Sequence, residues 1–427
     1  MLRQRGRVGL MAAALVVLAV GGAQAAVTTE RSASILVFPK VISNGTRDTI
    51  IQITNTGNSM VHAHCFYVNG APTRLDDPPC HNTPPGFCQN PPRWTEVDFD
   101  IWLTAQQPTH WDVRLGRLVD PFDDRCSNNP PFFDCNGAGL DPGLVPPTVE
   151  FFTGELKCIE VAADGTPVSG NHLKGEATLV TIDTCNFAGD PILHIDPATC
   201  ELSGGPCTSD SDCHETFDVA KYNAIGIPGN ENNNGDNVLC LGGPVSEACP
   251  NGAEYDACPA FYIANHFSEG APEPIVEEFE GDPEDSSFVN TAFTIVPCTQ
   301  NFEEQTPETV VININTWNEF ETAFSSQAIV TCWDELFLSQ INPTAFLFTS
   351  LGTSFAQSRL RISQQTGSAF LMIGEEFHTI NVNNGDISDV PSTAVAAVNH
   401  FVEGEHVAGD LITIPPDQVG GGAGSAN

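Results

Sequence analysis

Three short segments near the N-terminus decide the expected fold: SILVFPK at Ser34–Lys40, TIIQITN at Thr49–Asn55 and MVHAHCFYV at Met60–Val68. Apart from a continuous apolar run inside the first, apolar and polar residues roughly alternate along them, which is typical of β-strands with one buried face. Asn44-Gly45 and Thr56-Gly57-Asn58 separate the segments and have the composition of tight turns. Strands of this kind need a second sheet to cover their apolar faces, so the pattern predicts a β-sandwich.

The same region resembles the immunoglobulin-like modules that are common in bacterial secreted proteins. The resemblance covers about 35 residues and lies in the order strand, Asn-Thr-Gly-Asn turn, strand. The region departs from antibody domains because it lacks their Cys, Trp, Cys framework. The resemblance implies an immunoglobulin-like sandwich fold and little about function, since one fold carries many functions.

Alternating segments return after residue 288, for example at Thr309–Thr316, and predict a second sandwich. Between the two, residues 198–288 contain six cysteines, an Asn-rich run and an acidic stretch. We therefore expect an all-β protein with two immunoglobulin-like β-sandwich domains and a disulfide-rich insertion between them. The expected units are a signal peptide at 1–25, an N-terminal β-sandwich domain at 26–197, a Cys-rich insertion and acidic linker at 198–288, a C-terminal β-sandwich domain at 289–417 and a flexible Gly-rich tail at 418–427.

The first 25 residues have the three-part layout of a secretory signal peptide. Basic residues precede the apolar run Val8–Val20, and the small-residue motif Ala23-Gln24-Ala25 follows it. That run is shorter than the ~20 residues that span a bilayer. All 15 cysteines come later in the chain, and none forms a Cys-x-x-Cys motif. Because paired cysteines require an oxidising compartment, we expect a secreted, extracellular or periplasmic protein with no membrane span after signal cleavage.

The chain is strongly acidic, since 54 Asp and Glu residues outnumber 16 Lys and Arg residues and the formal net charge is −38. The phosphates of a nucleic acid would be repelled by such a surface, so nucleic acid is excluded as an expected partner. The hydrophobic content of 41% is too high for a disordered chain. A glycan or another surface protein is the expected kind of partner.

His62-Ala63-His64 places two imidazoles on one face of a predicted strand, at the spacing that a metal ion needs, and Cys65 on the other face. Two ligands do not complete a site, so a third must come from elsewhere, and His81 or an acidic residue is an available donor. His62 and His64 are therefore metal-site candidates, and a polar sheet face is the alternative.

An Asn-rich loop in the insertion is a second metal candidate. Asn230, Asn232 and Asn234 match the odd-numbered oxygen donors of a calcium loop, and Gly235 matches its sharp turn. Leu241 occupies the position of the closing bidentate acid, so calcium would bind only weakly there. The alternative is an exposed Asn/Gly loop, and no other cofactor is expected.

The distribution of cysteines predicts one disulfide. Seven cysteines lie in residues 26–197, six in 198–288 and two, Cys298 and Cys332, in the remainder. If the three segments fold independently, Cys298 pairs with Cys332. The unpaired thiol is then expected in the first domain, where Cys65 would act as a small buried hydrophobic residue.

The dipeptide Asn-His occurs at Asn171-His172, Asn265-His266 and Asn399-His400. We interpret these pairs as structural residues at turns that open strands, where Asn and His satisfy nearby backbone groups.

The sequence contains no nucleophile elbow, zinc-protease motif or phosphate-binding loop, so no catalytic residue is assigned and the protein is predicted not to be an enzyme. We expect a secreted surface, matrix or recognition protein. One alternative is an extracellular carbohydrate-active enzyme or carbohydrate-binding module, and another is a Ca²⁺-dependent adhesive protein. The carbohydrate alternative depends on abundant acids and on the tryptophans Trp94, Trp102, Trp111, Trp317 and Trp333.

Overall fold

The computed structural model of the chain describes residues 27–44, 47–70, 95–117, 142–149, 152–181, 185–186, 199–200, 218–274, 288–363, 367–380 and 392–415. The predicted signal peptide and the Gly-rich tail lie outside these ranges.

The prediction of an all-β chain is confirmed, because helix in the described residues is limited to two four-residue segments, α1 (Leu338–Ile341) and α2 (Phe348–Leu351). The three strands predicted between Ser34 and Val68 are all present as β1 to β3. No helix in the described part of the chain has the length and apolar character to cross a bilayer. The strands are β1 (Ile35–Ser43), β2 (Arg47–Asn55), β3 (Val61–Asn69), β4 (Thr95–Leu103), β5 (Pro108–Asp112), β6 (Phe152–Val161), β7 (Leu173–Thr181), β8 (Cys185–Asn186), β9 (Thr199–Cys200), β10 (Asp218–Asn223), β11 (Ile225–Ile227), β12 (Val238–Leu241), β13 (Pro259–Phe267), β14 (Ala271–Pro272), β15 (Phe288–Pro297), β16 (Gln300–Asn301), β17 (Thr309–Asn318), β18 (Ala323–Thr331), β19 (Asp334–Phe337), β20 (Phe355–Ile362), β21 (Phe370–Ile380), β22 (Ser392–Asn399), β23 (Phe401–Glu405) and β24 (Asp410–Thr413).

The strands form five main sheets, which we number I to V. Sheet I has the order β11-β1-β6-β3-β4, sheet II the order β10-β7-β2-β5 and sheet III the order β12-β24-β16. Sheet IV has the order β18-β17-β20-β13-β23, and sheet V the order β14-β15-β21-β22 with β19 also paired to β15. Strands β8 and β9 form a separate two-stranded ladder.

The prediction of two immunoglobulin-like β-sandwich domains with an insertion between them is wrong. The sheets are arranged as a five-bladed β-propeller. Four consecutive strands from the segment predicted as an insertion, β10 to β13, belong to four different sheets. Alternation along a strand indicates that one face is buried, but it does not identify the neighbouring strand, which is why the sequence pattern suggested the wrong assembly.

Sheet I is buried on both faces, which explains the continuous apolar run in β1. Leu36 and Phe38 enter a core shared with sheet II, whereas Ile35 and Val37 enter a second core shared with sheet III. A third core lies between sheets IV and V. A strand covered on both sides has no reason to alternate, and β1 and nearly all of β3 are buried along their lengths.

Sheets II and V are joined by a reciprocal hydrogen-bonded pair. The Asn223 backbone N–H donates to Asn399 Oδ1 over 2.9 Å, and Asn399 Nδ2 donates to the Asn223 carbonyl over 3.0 Å. Asn399 therefore works as a structural residue at the turn between β22 and β23. Asn265-His266 lies inside β13, so its predicted position at a turn is wrong.

A buried ion cluster ties sheets I and II to sheet V. Lys40 lies in β1 at a bulge, and its ammonium group donates to both Glu375 of β21 and Glu335 of β19. Arg47 Nη2 of β2 donates to the other Glu375 oxygen over 2.9 Å. Burial lowers the pKa of Lys40 to about 7, against the attraction of Glu335. The four side chains thus form one charged centre inside the protein, in which each charge depends on the others.

Candidate functional site

The two histidines of the predicted metal motif face a row of acidic residues. His62 and His64 lie on β3, and the register of β3 with β4 places His62 opposite Trp102 and His64 opposite Asp100. Both imidazoles are mostly buried. Asp98 precedes Asp100 by two residues and therefore lies on the same face of the sheet.

Asp100 holds both imidazoles with a single oxygen. Its Oδ1 lies 2.8 Å from His62 Nε2 and 2.8 Å from His64 Nδ1. The second nitrogen of His62 lies 2.9 Å from the Ala162 carbonyl oxygen, and His64 Nε2 lies 3.4 Å from Asp98 Oδ2. The His62 ring also stacks on Trp102 with a centroid distance of 3.8 Å. Because a carboxylate oxygen only accepts hydrogen bonds, His64 Nδ1 is matched to Asp100 when it carries a proton.

The charges of the cluster agree with this arrangement. Burial disfavours the imidazolium form of His64, but the hydrogen bonds and charges of Asp100 and Asp98 outweigh burial and raise its pKa to about 9. The hydrogen bond from His64 lowers the pKa of Asp98. Burial, supported by the charge of Asp98, raises the pKa of neighbouring Glu96 to about 8. The cluster therefore combines charged imidazole and carboxylate groups with a carboxyl group that holds its proton at neutral pH.

The structure brings an acid to the His62 and His64 pair, because Asp100 Oδ1 is hydrogen-bonded to both imidazoles. Metal binding at these three residues stays a prediction. Within the described ranges, one set of three metal-ligating residues has its ligand atoms within 4.8 Å of one another, and this set is Cys258, Cys298 and Asp410. Cys258 and Cys298 are joined in a disulfide, so their sulfurs are not available as thiolate ligands. His81, the other suggested donor, lies outside the described residues.

The asparagines of the Asn-rich loop are hydrogen-bonded within the loop and to the chain beside it. Asn234 Nδ2 donates to Asp236 Oδ2 over 2.7 Å, and the Asp236 N–H donates to Asn234 Oδ1 over 2.8 Å. Asn232 Nδ2 lies 3.4 Å from the Ala253 carbonyl, and the Asn230 N–H donates to the Glu254 carbonyl over 2.6 Å. These bonds support the turn itself, as in the alternative reading of an exposed loop.

The predicted Cys298–Cys332 disulfide is wrong. Cys298 pairs with Cys258, and Cys332 is a buried free thiol. The expected free thiol, Cys65, is paired with Cys158. The prediction failed because it assumed independent segments, whereas Cys258 directly precedes β13 and so belongs with the C-terminal strands. The described disulfides are Cys65–Cys158, Cys240–Cys249 and Cys258–Cys298.

Most of the tryptophans that suggested a carbohydrate site are buried. The buried three are Trp102, Trp111 and Trp333. Trp94 lies outside the described residues. Trp317 of β17 is partly exposed on the outward face of sheet IV.

The outward face of sheet IV is a candidate binding surface that no sequence motif indicated. Strands β13, β17, β18 and β20 contain no Asp or Glu, in a chain with 54 acidic residues. Carboxylates appear on this face of the sheet only at the edge strand β23, as Glu403 and Glu405. A long acid-free stretch of exposed strand residues in an acidic chain is the sequence signal that marks this face.

Amide side chains are paired across the strands of this face. Gln327 Nε2 donates to Asn313 Oδ1 over 3.0 Å, and Gln357 Nε2 donates to Asn265 Oδ1 over 3.2 Å. Ser325 Oγ donates to Asn315 Oδ1 over 3.3 Å. Each of these groups keeps further donor or acceptor capacity for a ligand.

Two arginines lie at the centre of the same face. The register pairs Arg361 with Asn313, Arg359 with Asn315, and Trp317 with Gln357. The Arg359 guanidinium carbon lies 4.0 Å from the centroid of the Phe261 ring. We call the surface formed by Asn313, Asn315, Trp317, Gln357, Arg359 and Arg361 the platform.

Replacing Asp100 by Asn should lower the pKa of His64 from about 9 toward its ordinary value of about 6.5, because Asp100 supplies a hydrogen bond and a negative charge. His64 has a folded-state pKa above its unfolded value, so its stabilising contribution is present below about pH 6.5 and is lost as the pH rises through about 9. Wild type should therefore lose more stability between pH 7 and 9 than Asp100→Asn does. NMR titration of the His64 ring protons and urea unfolding at both pH values measure the two effects.

Glu319→Gln is a suitable control, since Glu319 is exposed and lies in the turn after β17, in a different sheet from the cluster. A His64 titration that is the same in wild type and Asp100→Asn would contradict the role given to Asp100.

No family model matches this chain, and no curated protein matches it. A solved structure described as the cryo-EM atomic structure of Broad Bean Stain Virus aligns with 95% of this chain and 97% of that chain, at 9% sequence identity and a TM-score of 0.14. A TM-score of this size is too low to support an argument about fold or function.

Proposed function

We propose that the protein is a non-catalytic recognition protein of the extracellular space, and that it holds a carboxylate-bearing polysaccharide on the platform of sheet IV. The observation that carries the proposal is the combination of two arginines, paired amides and one partly exposed tryptophan on a sheet in which four of the five strands have no acidic residue.

The chemistry of the platform fits an acidic sugar polymer. Guanidinium groups present a planar fork of donors that matches a carboxylate. Asn and Gln side chains offer both donors and acceptors, which sugar hydroxyl groups need. The Trp317 ring adds an apolar face against which a sugar ring packs.

The net charge of −38 does not prevent an anionic ligand from binding to the platform. Charges farther away than about 8 Å are largely screened at physiological ionic strength. A polysaccharide with at most one carboxylate per sugar is also a sparser polyanion than DNA, which carries one charge per ~1.7 Å. Four of the five strands of sheet IV add no carboxylate that would repel such a polymer, and the Glu403 carboxylate of the fifth strand lies 3.8 Å from Arg359 Nη2. Arg361 is therefore the arginine on which the proposal depends most.

One buried histidine and serine pair has the distance of a catalytic pair but lacks access to a substrate. His266 Nε2 lies 2.8 Å from Ser358 Oγ, which is the distance expected of a base and a nucleophile. Both side chains have 0% exposure, so a substrate does not reach them. This pair serves packing instead.

Arg361→Gln should weaken binding of the intact protein to polygalacturonate at least tenfold, since one charge-assisted contact is worth about 1.5–3 kcal/mol. Trp317→Ala should also weaken binding, because it removes the apolar face on which a sugar ring packs. Isothermal titration calorimetry or affinity electrophoresis measures the change. Arg114→Gln is the matched control, because Arg114 is an exposed arginine in the turn after β5, outside sheet IV, and pairs with Asp48. Binding should be weaker to a neutral glucan.

Absence of binding to polygalacturonate, or binding that neither platform variant reduces, would overturn the proposal. If the neutral glucan binds equally well, the platform still recognises a glycan, but the proposal that the glycan must bear carboxylates is wrong.

A further inference from the structure

A lysine, a glutamine and a glutamate lie in mutual contact inside the protein, between sheets I and III. Lys157 and Glu155 are on β6, and Gln300 is on β16. Lys157 Nζ lies 2.5 Å from Gln300 Oε1 and 2.7 Å from Glu155 Oε2. Gln300 Nε2 in turn donates to the other Glu155 oxygen. Exposure is 0% for Lys157 and Glu155 and 3% for Gln300, so water does not reach the three groups. Their side-chain hydrogen bonds within the described part of the chain are to one another.

The surroundings of this triad are apolar. Lys157 lies beside Phe66 of β3, which stacks on Phe302 with a centroid distance of 4.3 Å. Cys332 and Trp333 belong to the same core. An ammonium and carboxylate pair in such a place carries a desolvation penalty that its own attraction repays only in part. Burial accordingly lowers the pKa of Lys157, against the attraction of Glu155.

We propose that Lys157 and Gln300 react to form an intramolecular amide cross-link, with Glu155 as the proton carrier. Lys157 gives one ammonium proton to Glu155 Oε2, and the neutral Nζ then forms a bond to Gln300 Cδ. Glu155, whose other oxygen faces Gln300 Nε2, delivers a proton to that nitrogen and takes one from Nζ. The Cδ–Nε2 bond breaks, ammonia leaves, and Glu155 ends protonated and neutral. An amine and a primary amide become a secondary amide and ammonia, so no oxidant or other reactant is needed.

Two features of the site favour this reaction. The structure holds the amine and the amide in fixed contact. In well-oriented intramolecular reactions such contact is equivalent to an effective concentration of about 10⁵–10⁸ M. The product replaces a buried ion pair by a neutral amide, which removes the desolvation penalty. The cross-link joins residues 143 positions apart and ties sheet I to sheet III.

The nearby thiol of Cys332 is the competing nucleophile. Attack by its sulfur on the same Gln300 amide would also release ammonia and would give a thioester. Burial raises the pKa of the Cys332 thiol, and the charge of Glu155 adds to this effect, so the sulfur stays protonated and is a poor nucleophile. The two products differ in chemistry, because hydroxylamine cleaves a thioester and leaves an amide intact.

Intact-mass spectrometry of the folded full chain, exported to an oxidising compartment and then reduced and alkylated, tests the proposal. The expected mass is about 17 Da below that of the sequence from its observed N-terminus, which corresponds to the loss of one ammonia. Tandem mass spectrometry should find the peptides around residues 157 and 300 joined, and hydroxylamine should leave the joined peptides intact.

Glu155→Gln keeps the size of the side chain and removes the proton carrier, so it should restore the full mass. Lys221→Arg is the matched control, because Lys221 is an exposed lysine paired with Glu176, and it should retain the loss of about 17 Da. Full mass in folded wild-type protein, a loss that maps to other residues, or a linkage that hydroxylamine cleaves at Cys332 would each overturn the proposal. The first measurement uses the wild-type chain, so the test does not depend on the stability of a variant.

Discussion

Replacement of Lys40 by methionine should lower the free energy of unfolding by about 3–5 kcal/mol, the range found when one partner of a buried ion pair is removed. Methionine fills nearly the same volume but leaves Glu375, whose side chain has 0% exposure, without its ammonium partner. Arg47 remains on the other oxygen of Glu375 and compensates only in part. Urea or guanidinium unfolding at pH 7, followed by tryptophan fluorescence, measures the loss.

The double variant Lys40→Met with Glu375→Gln separates the cost of an unpaired buried charge from the cost of lost packing. If the unpaired Glu375 carboxylate causes most of the destabilisation, the second substitution should recover most of the lost free energy of unfolding. Lys221→Met is the control for an exposed pair, and it should change stability by less than about 1 kcal/mol. A Lys40→Met effect as small as that of Lys221→Met would contradict the view that this cluster is a central element of the fold.

The strands of this protein could be predicted from local sequence, but their partners could not. Alternation at Thr49–Asn55 directly reflects one buried and one exposed face of β2. The position of β6 between β1 and β3 in sheet I depends on pairing residues more than 80 positions apart, such as Cys65 and Cys158. Local patterns contain no information on such pairings, so an all-β chain was foreseen and a propeller was not.

The candidate site shows the same division between local and non-local information. The two-residue period of a strand places His62 and His64 on one face, and this part of the prediction needs no tertiary structure. Which acid they meet depends on the register that aligns His64 with Asp100. A shift of one residue would put the three acids of β4 on the opposite face and abolish the cluster. The sequence therefore predicted the imidazoles and the need for an acid, but not which acid it is or that one oxygen is shared by both imidazoles.

The buried pair of His266 and Ser358 should make the protein sensitive to acid. The Phe267 carbonyl lies 3.0 Å from His266 Nδ1 and only accepts, so the proton of the neutral ring is on Nδ1. Nε2 then accepts from Ser358, whose oxygen accepts from Thr316 over 2.7 Å. A second proton on Nε2 requires Ser358 to stop donating and brings a charge into a fully buried position. Burial accordingly lowers the pKa of His266 to about 4.

Because the folded-state pKa of His266 lies below its unfolded value of about 6.5, the folded state binds fewer protons than the unfolded state between these values. Stability is then fully present above pH 6.5 and declines as the pH falls toward 4. A difference of this size corresponds to a loss of about 3 kcal/mol at pH 4, since one pKa unit is worth about 1.4 kcal/mol. Groups with a raised pKa, such as Glu96, gain stability over the same range, so the share of His266 is the difference between wild type and a variant without this histidine. Urea unfolding of both proteins at pH 7 and pH 4 measures it.

His266→Gln distinguishes this histidine from the other groups that titrate over the same range. Glutamine stays neutral, so the variant should be less stable than wild type at pH 7, where it loses well-packed hydrogen bonds, and should lose about 3 kcal/mol less than wild type on going to pH 4. His110→Gln is the control, since the His110 ring is exposed on β5 and stays in contact with water in both states. Parallel pH profiles for wild type and His266→Gln would mean that the acid sensitivity comes from elsewhere. His400, whose ring also packs on Phe293 and whose pKa burial lowers to about 4, would then be the next residue to replace, because a charge on either histidine disfavours a charge on the other.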